Sequence, residues 1–208
     1  ALTYELQYGD TWILRDAGTV GYGSPLHKDY FSRAPAHNVP LVNGDGQTPW
    51  PSEGQLDEIA PDGSSATVSH PSYRPGVTAT RRLAVEGGEF IDEVGVTTGS
   101  DTPQAIGVVL NTPCAVTADS PSIVEGASLP TATAFHYWKD WTAYAAPGTW
   151  SGTLDCGGRQ FALDVSGPAM QRVYVGTVPD SAQPYTRRGI YVEGIASVAQ
   201  FYLAFRPL

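Results

Sequence analysis

The sequence predicts an all-β fold: a large antiparallel β-sandwich of two sheets with little helix. Three observations predict it. Apolar residues recur at every second position in several short segments, the period of a half-buried strand. The 23 glycines and 17 prolines among 208 residues fall largely between those segments, where turns belong. Strands do not alternate with long helical patterns, which argues against a parallel sheet built from βαβ units. Hydrophobic residues at 41% and aromatics at 11% supply a sizeable core.

The elements follow in order. Leu2, Tyr4, Leu6 and Tyr8 alternate with Thr3, Glu5 and Gln7, and Gly9-Asp10 turns the chain into a second strand at 12–14. Val77, Ala79, Arg81, Leu83 and Val85 alternate again. Gly87-Gly88 then closes a hairpin onto 90–96. Further strands are predicted at 105–110, 131–137, 159–165, 172–178, 189–193 and 198–205. Trp138, Trp141 and Tyr144, spaced by three, mark 136–145 as either a short helix or an aromatic strand and loop. Residues 64–65 and 180–183 read as loops. No internal repeat, low-complexity tract or linker divides the chain, so residues 1–208 are read as one sandwich domain.

Charge and cysteine usage narrow the function classes. Twelve Lys and Arg against 21 Asp and Glu give a net charge of −9. Binding to a nucleic-acid backbone normally needs a basic excess, so nucleic acid is not an expected partner. No apolar run approaches the ~18 residues of a membrane helix, so no membrane span is expected. An acidic glycan would have to be held by a few placed cations. Cys114 and Cys156 each lie in a strand-like segment and form either one disulfide or two buried thiols. Neither belongs to a Cys-x-x-Cys pair, which argues against a zinc knuckle.

One irregular stretch, 17–63, interrupts the strands. It carries Tyr22, His27, Lys28, Tyr30, Arg33, His37, Asn38, Asp45, Gln47 and Trp50. Long loops of this kind are usually functional, so a site is expected here.

Three segments taken together resemble a known family: "LTYELQYGDTWILRDAGTVGYG", "YFSRAPAHNVPLVNGDGQ" and "HPSYRPGVTATRRLAVEGGEFIDEV". Their order and spacing over residues 1 to 97 are similar to the C-terminal β-sandwich of heparinase II/III-like polysaccharide lyases. The resemblance implies a lyase that cleaves a uronate-containing acidic polysaccharide by β-elimination. It also implies an N-terminal α/α toroid as partner, which supplies the main acid and base. The catalytic residues are therefore expected outside this chain, and the chain alone is expected to be inactive. Upstream sequence is expected before Ala1, in a cytoplasmic, periplasmic or secreted protein.

Some members of that family hold zinc beside the cleft. By resemblance, Asp16 in "RDAGT" and His37 in "AHN" match two of its ligands, so an incomplete zinc site is expected. The alternatives are a turn carboxylate at Asp16 and a structural or glycan-binding histidine at His37. Tyr22, Arg33 and Asn38 are the candidate substrate contacts. Arg33 could pair with a uronate carboxylate or sulfate, or with Asp29. Tyr22 could meet a sugar or pack half-buried, and Asn38 could bond a carboxylate or fix the loop. Asp16 and His37 are expected within ~6 Å of each other, as partners around one ion or water, with Arg33 and Asn38 bordering the same cavity. Arg81-Arg82 should place one arginine on each sheet face, the inward one paired. Two other functions fit the same residues: a non-catalytic carbohydrate-binding module, and a structural or assembly sandwich.

Overall fold

The computed structural model describes residues 2–49, 51–119 and 122–208. Strands make up 55% of it and helix 7%, and its antiparallel sheets pack as a sandwich. Among the described residues fifteen strands are formed: β1 (Leu6–Tyr8), β2 (Thr11–Leu14), β3 (Pro40–Val42), β4 (Gln55–Ile59), β5 (Ser65–Arg74), β6 (Val77–Glu86), β7 (Glu89–Thr98), β8 (Gln104–Thr112), β9 (Ala115–Ala118), β10 (Lys139–Ala145), β11 (Thr149–Asp155), β12 (Gln160–Ser166), β13 (Met170–Pro179), β14 (Thr186–Ala196) and β15 (Val198–Pro207). The large sheet runs β4-β5-β6-β7-β15-β12-β11-β9, the small sheet runs β10-β13-β14-β8-β3, and β1-β2 is a separate hairpin.

The period-two patterns decide which side chains fill the space between the sheets. From β8, Ile106, Val108 and Leu110 point inward, as do Val173 and Val175 of β13 and Ile190 and Val192 of β14. They meet Val94, Val96, Leu163, Phe201, Leu203 and Phe205 of the large sheet. Burying each such side chain contributes about 1.5–3 kcal/mol before entropy is counted. The pairing of Arg81 with Asp92 confirms the split of the arginine pair. Arg81 points into the sandwich, while Arg82 lies on the outer face against Glu86 and Glu93.

A second core lies on the outer face of the small sheet. Leu41, Val109, Tyr174, Val178 and Tyr191 point that way and are covered by Tyr30, Phe31, Ala36, Phe135 and Trp138. The stretch expected to be irregular therefore has structure of its own. A π-helical turn at His27–Phe31 buries Tyr30 and Phe31, and a 3-10 turn at Ala34–Ala36 buries Pro35 and Ala36. Strands β3 and β4 also fall within it. The predicted strand at 131–137 is instead a 3-10 turn, Thr133–Tyr137, that drops Phe135 onto the sheet. The aromatic spacing at 136–145 resolves as strand β10, with Trp141 on one face and Tyr144 on the other. Ser65 opens β5 rather than sitting in a loop. Cys114 and Cys156 form the disulfide alternative.

Candidate functional site

Asp16 follows β2 and His37 follows the Ala34–Ala36 turn. Neither position is left to chance. Asp16 closes a local turn by accepting the Gly18 N–H at 2.8 Å, and its own N–H donates to Glu5 Oε1 at 2.9 Å. The His37 N–H donates to the Ala34 carbonyl at 3.0 Å, which closes the 3-10 turn. The side chains then meet: His37 Nδ1 lies 2.6 Å from Asp16 Oδ2, each side chain being 31% exposed. They come together as expected from the sequence, in direct hydrogen-bond contact.

The strands bearing them are not direct neighbours, however. Asn111 at the end of β8 stands between them. Its carbonyl accepts the Arg15 N–H at 3.1 Å, and its N–H donates to Asn38 Oδ1 at 2.6 Å. Its side-chain amide donates to the Pro35 and His37 carbonyls at 3.3 and 3.2 Å. Asn111 is not among the site residues expected from the sequence. The available signal was a polar residue ending an otherwise apolar strand, a residue type that is rarely buried without partners. Replacing Asn111 with leucine should strand the Pro35 and His37 carbonyls. We expect a loss of about 1–3 kcal/mol, read by urea denaturation.

Asn38 is corrected from substrate contact to structural pin. It is fully buried. Its Nδ2 donates to the Tyr4 carbonyl at 2.8 Å, its Oδ1 accepts the Asn111 N–H, and its carbonyl accepts Arg81 Nη1 at 2.6 Å. No hydrogen-bonding capacity of its side-chain oxygen faces solvent, and the backbone on both sides of His37 is fixed as a result.

Tyr22 is 91% exposed rather than half-buried, and its ring meets His27 edge-on with centroids 4.6 Å apart. His27 Nδ1 lies 3.1 Å from Thr19 Oγ1. Arg33 donates from Nε to the Lys28 carbonyl at 2.9 Å, so that nitrogen is held by backbone. Trp50 lies outside the described residues.

His37 opens on a cavity of about 410 Å³ lined also by Thr3, Ser32, Ala34, Val39, Gln47 and Tyr73. Tyr73 is buried and donates to the Pro40 carbonyl at 2.6 Å. Arg33 borders a different, smaller cavity of about 170 Å³, with Pro35, Asp45, Thr131 and Thr133 among its lining. The expectation of one shared cavity for His37, Arg33 and Asn38 therefore fails. The Ala34–Ala36 turn places Ala34 on one cavity and Pro35 on the other, and it buries Asn38 beyond both.

No protein-family description matches the sequence, and no curated protein matches it. Solved structures do match. A heparinase III gene product superposes with a TM-score of 0.66 at 13% identity, covering 99% of this chain and 29% of that one. A heparan sulfate lyase, HepC, from Pedobacter heparinus gives 0.57 at 14%, with 99% and 30% covered. A galactose mutarotase-like protein from Lactobacillus casei gives 0.52 at 11%, with 99% and 100% covered. The shared property is the fold. This chain has the sandwich architecture found in those carbohydrate-related proteins, and it spans less than a third of the two lyase chains.

The electrostatics of the pair have one clear direction. Burial raises the Asp16 carboxyl, but the His37 hydrogen bond and charge, the Gly18 N–H and the Arg187 cation together outweigh it and hold the carboxyl below its ordinary value. Asp16 is thus ionised at neutral pH and accepts from His37. A lowered folded-state value stabilises the protein above the unfolded carboxylate range. That contribution is lost as pH falls through the folded value, on the acid side of ~3.9. Glu193 has the opposite sign. Its burial beside Tyr174 and Tyr191 raises it, so its contribution is full below the unfolded value and is lost as pH rises through the folded one. Melting curves across the acid range should show Asp16→Asn flattening the acid limb and Glu193→Gln gaining relative stability towards neutral pH.

Zinc can be tested against these donors. Catalytic zinc keeps three protein ligands and structural zinc four. Among the described residues no three His, Cys, Asp or Glu side chains group to hold a metal. The 2.6 Å contact is also shorter than the ~3–4 Å edge between ligands of one tetrahedron. Asp16 and His37 as placed fit a hydrogen-bonded pair and do not by themselves fit a zinc ion.

Proposed function

We propose that this chain is the β-sandwich part of a polysaccharide lyase acting on a uronate-containing glycan, and that it forms one wall of the cleft. The observation that carries this reading is the Asp16–His37 pair, whose histidine lines the 410 Å³ cavity. An ionised Asp16 accepting from Nδ1–H fixes the imidazole orientation and leaves Nε2 as the group His37 offers to a ligand. Ser32, Gln47 and Thr3 line the same cavity and suit sugar hydroxyls. Tyr22 and Arg33 remain proposed contacts to flanking sugars, Arg33 from its separate, smaller cavity.

The reaction sets the division of labour. The uronate carboxylate must be neutralised, a base must take the C5 proton, and an acid must protonate the departing O4 as the C4–C5 double bond forms. On this reading an α/α toroid supplies the remaining acid and base groups, and any zinc ion needs further ligands from outside these residues.

The test is production of unsaturated uronate ends, followed by their ultraviolet absorbance, with heparan sulfate, chondroitin and alginate as substrates. A protein joining this sandwich to a toroid should turn over one of them, and His37→Ala should lower kcat/KM by about 10²–10⁴-fold. The 208-residue chain alone should not turn over. Full activity of the chain alone would overturn the division of labour. The full coverage of the mutarotase-like protein favours a second reading, a sandwich that handles a sugar without a toroid. Equilibration of free sugar anomers by the chain alone, seen by polarimetry, would select it.

A further inference from the structure

We propose that the turn joining β13 to β14, with Tyr185 at its exposed corner, is a further sugar-binding wall of the Asp16–His37 site. The proposal rests on the glycan reading above and names a residue which that reading does not use.

The turn is strapped to the chain on both sides of Asp16. The Ser181 N–H donates to the Ala17 carbonyl at 3.2 Å. Arg187 Nη1 donates to the Arg15 carbonyl at 2.5 Å. The approach is close enough to require glycine: Gly18 has φ +69°, and a Cβ there would meet Ser181 Oγ at 2.4 Å. The second strap is anchored by a buried ion pair. Arg187 and Asp180 side chains are 3% and 9% exposed, with Nε and Nη2 at 2.8 and 2.5 Å from Asp180 Oδ2. Within the turn, the Asp180 N–H donates to the Tyr185 carbonyl and the Tyr185 N–H to the Ala182 carbonyl. Asp180 Oδ1 accepts the Ala182 N–H. The position of the turn relative to Asp16 is therefore set by hydrogen bonds at both ends and within.

What this rigid turn presents is a tyrosine. Tyr185 is 60% exposed and sits at φ +65°. That region is disfavoured for any bulky side chain, and an exposed ring recovers little burial in return. Such outliers persist where the surrounding structure holds them, and they cluster at ligand sites. A phenol offers an apolar face with a polar tip, which matches the C–H face and hydroxyls of a pyranose. It carries no cation, so it would select the sugar ring and not its carboxylate.

The experiment is a titration of the isotopically labelled 208-residue chain with tetrasaccharides of heparosan, chondroitin and alginate, followed by NMR. Tyr185→Ala should weaken the oligosaccharide that the wild type binds by about tenfold. Tyr8→Ala, an exposed tyrosine at the far tip of the β1–β2 hairpin, should leave it unchanged. Tyr185→Gly, which accommodates the left-handed backbone, should melt close to the wild type while losing the same affinity. Equal binding by wild type and Tyr185→Ala overturns the proposal and leaves the glycan reading standing. No binding of any of the three by the wild type overturns both. A large drop in melting temperature for Tyr185→Gly would make Tyr185 a folding residue and overturn the proposal.

Discussion

Replacing Asp92 with alanine should destabilise the protein by about 3–5 kcal/mol. The reason is the arginine it would abandon. Arg81 and Asp92 side chains are 1% and 0% exposed, and two parallel hydrogen bonds join them, Nε to Oδ1 at 2.8 Å and Nη2 to Oδ2 at 2.7 Å. Tyr4 adds a third bond to Asp92 Oδ2 at 3.0 Å, and its ring lies 4.5 Å from the guanidinium. Desolvation of the two ions opposes their attraction, so the pair itself adds little net stability. Removing one member leaves a buried, uncompensated cation, and that asymmetry sets the expected loss. Arg81 Nη1 also holds the Leu2 and Asn38 carbonyls, so the damage should reach the segment bearing His37. Urea denaturation gives the size, and the double variant Arg81→Met/Asp92→Leu should lose less than Asp92→Ala. A cost under about 1 kcal/mol for the single variant would mean that water or another group reaches Arg81.

The parts of this molecule that the sequence makes legible are those governed by local period. Val77 to Val85 alternate, and their strand forms with the predicted inward arginine. Leu2 to Tyr8 alternate too, but only Leu6–Tyr8 pairs as a strand, because Tyr4 and the chain before it pack over the Arg81–Asp92 pair and not against a sheet edge. The second core was invisible for a related reason. The faces of β8, β13 and β14 away from the sandwich carry Gly107, Tyr174, Gly176, Gly189 and Tyr191, a mixture of small and large residues that no two-state pattern separates. Only the covering segment reveals its purpose: Trp138 lies over Gly176 and Gly189, where added side chains would meet its ring at 3.0 and 2.8 Å. At the site, the meeting of Asp16 and His37 was expected from a resemblance, whereas its cause, the Asn111 clamp, is a contact between residues more than 70 positions apart. Local reading has no access to such a contact. Asn38 is illegible for a different reason: polarity in a loop signals a ligand contact or a backbone pin equally well, and only burial decides between them.

Removing the disulfide should cost about 2–4 kcal/mol and loosen the site. Cys114 and Cys156 close a loop with a sequence separation of 42, and the loss of chain entropy that such a loop imposes on the unfolded state corresponds to about 4 kcal/mol as an upper figure. The bond ties the turn after β8 to the end of β11, and this turn also holds β2. Thr112 Oγ1 donates to the Ile13 carbonyl at 2.6 Å, the Cys114 N–H donates to Thr112 Oγ1 at 3.1 Å, and Cys114 Sγ lies 3.4 Å from the Trp12 carbonyl. Two residues past β2 stands Asp16, and one residue before Thr112 stands Asn111. The cross-link therefore braces both the strand that delivers Asp16 and the clamp that holds His37 against it. A Cys114→Ala/Cys156→Ala variant should melt lower than the oxidised protein and close to the reduced protein. Amide exchange at Arg15 and His37 should accelerate more than at Val192 in the middle of the small sheet, because local opening reports the nearest lost constraint. Uniform acceleration at all three positions would show that the cross-link acts only on the unfolded state. In that case the brace on the site would be attributed to the hydrogen bonds of Thr112 and Asn111 alone.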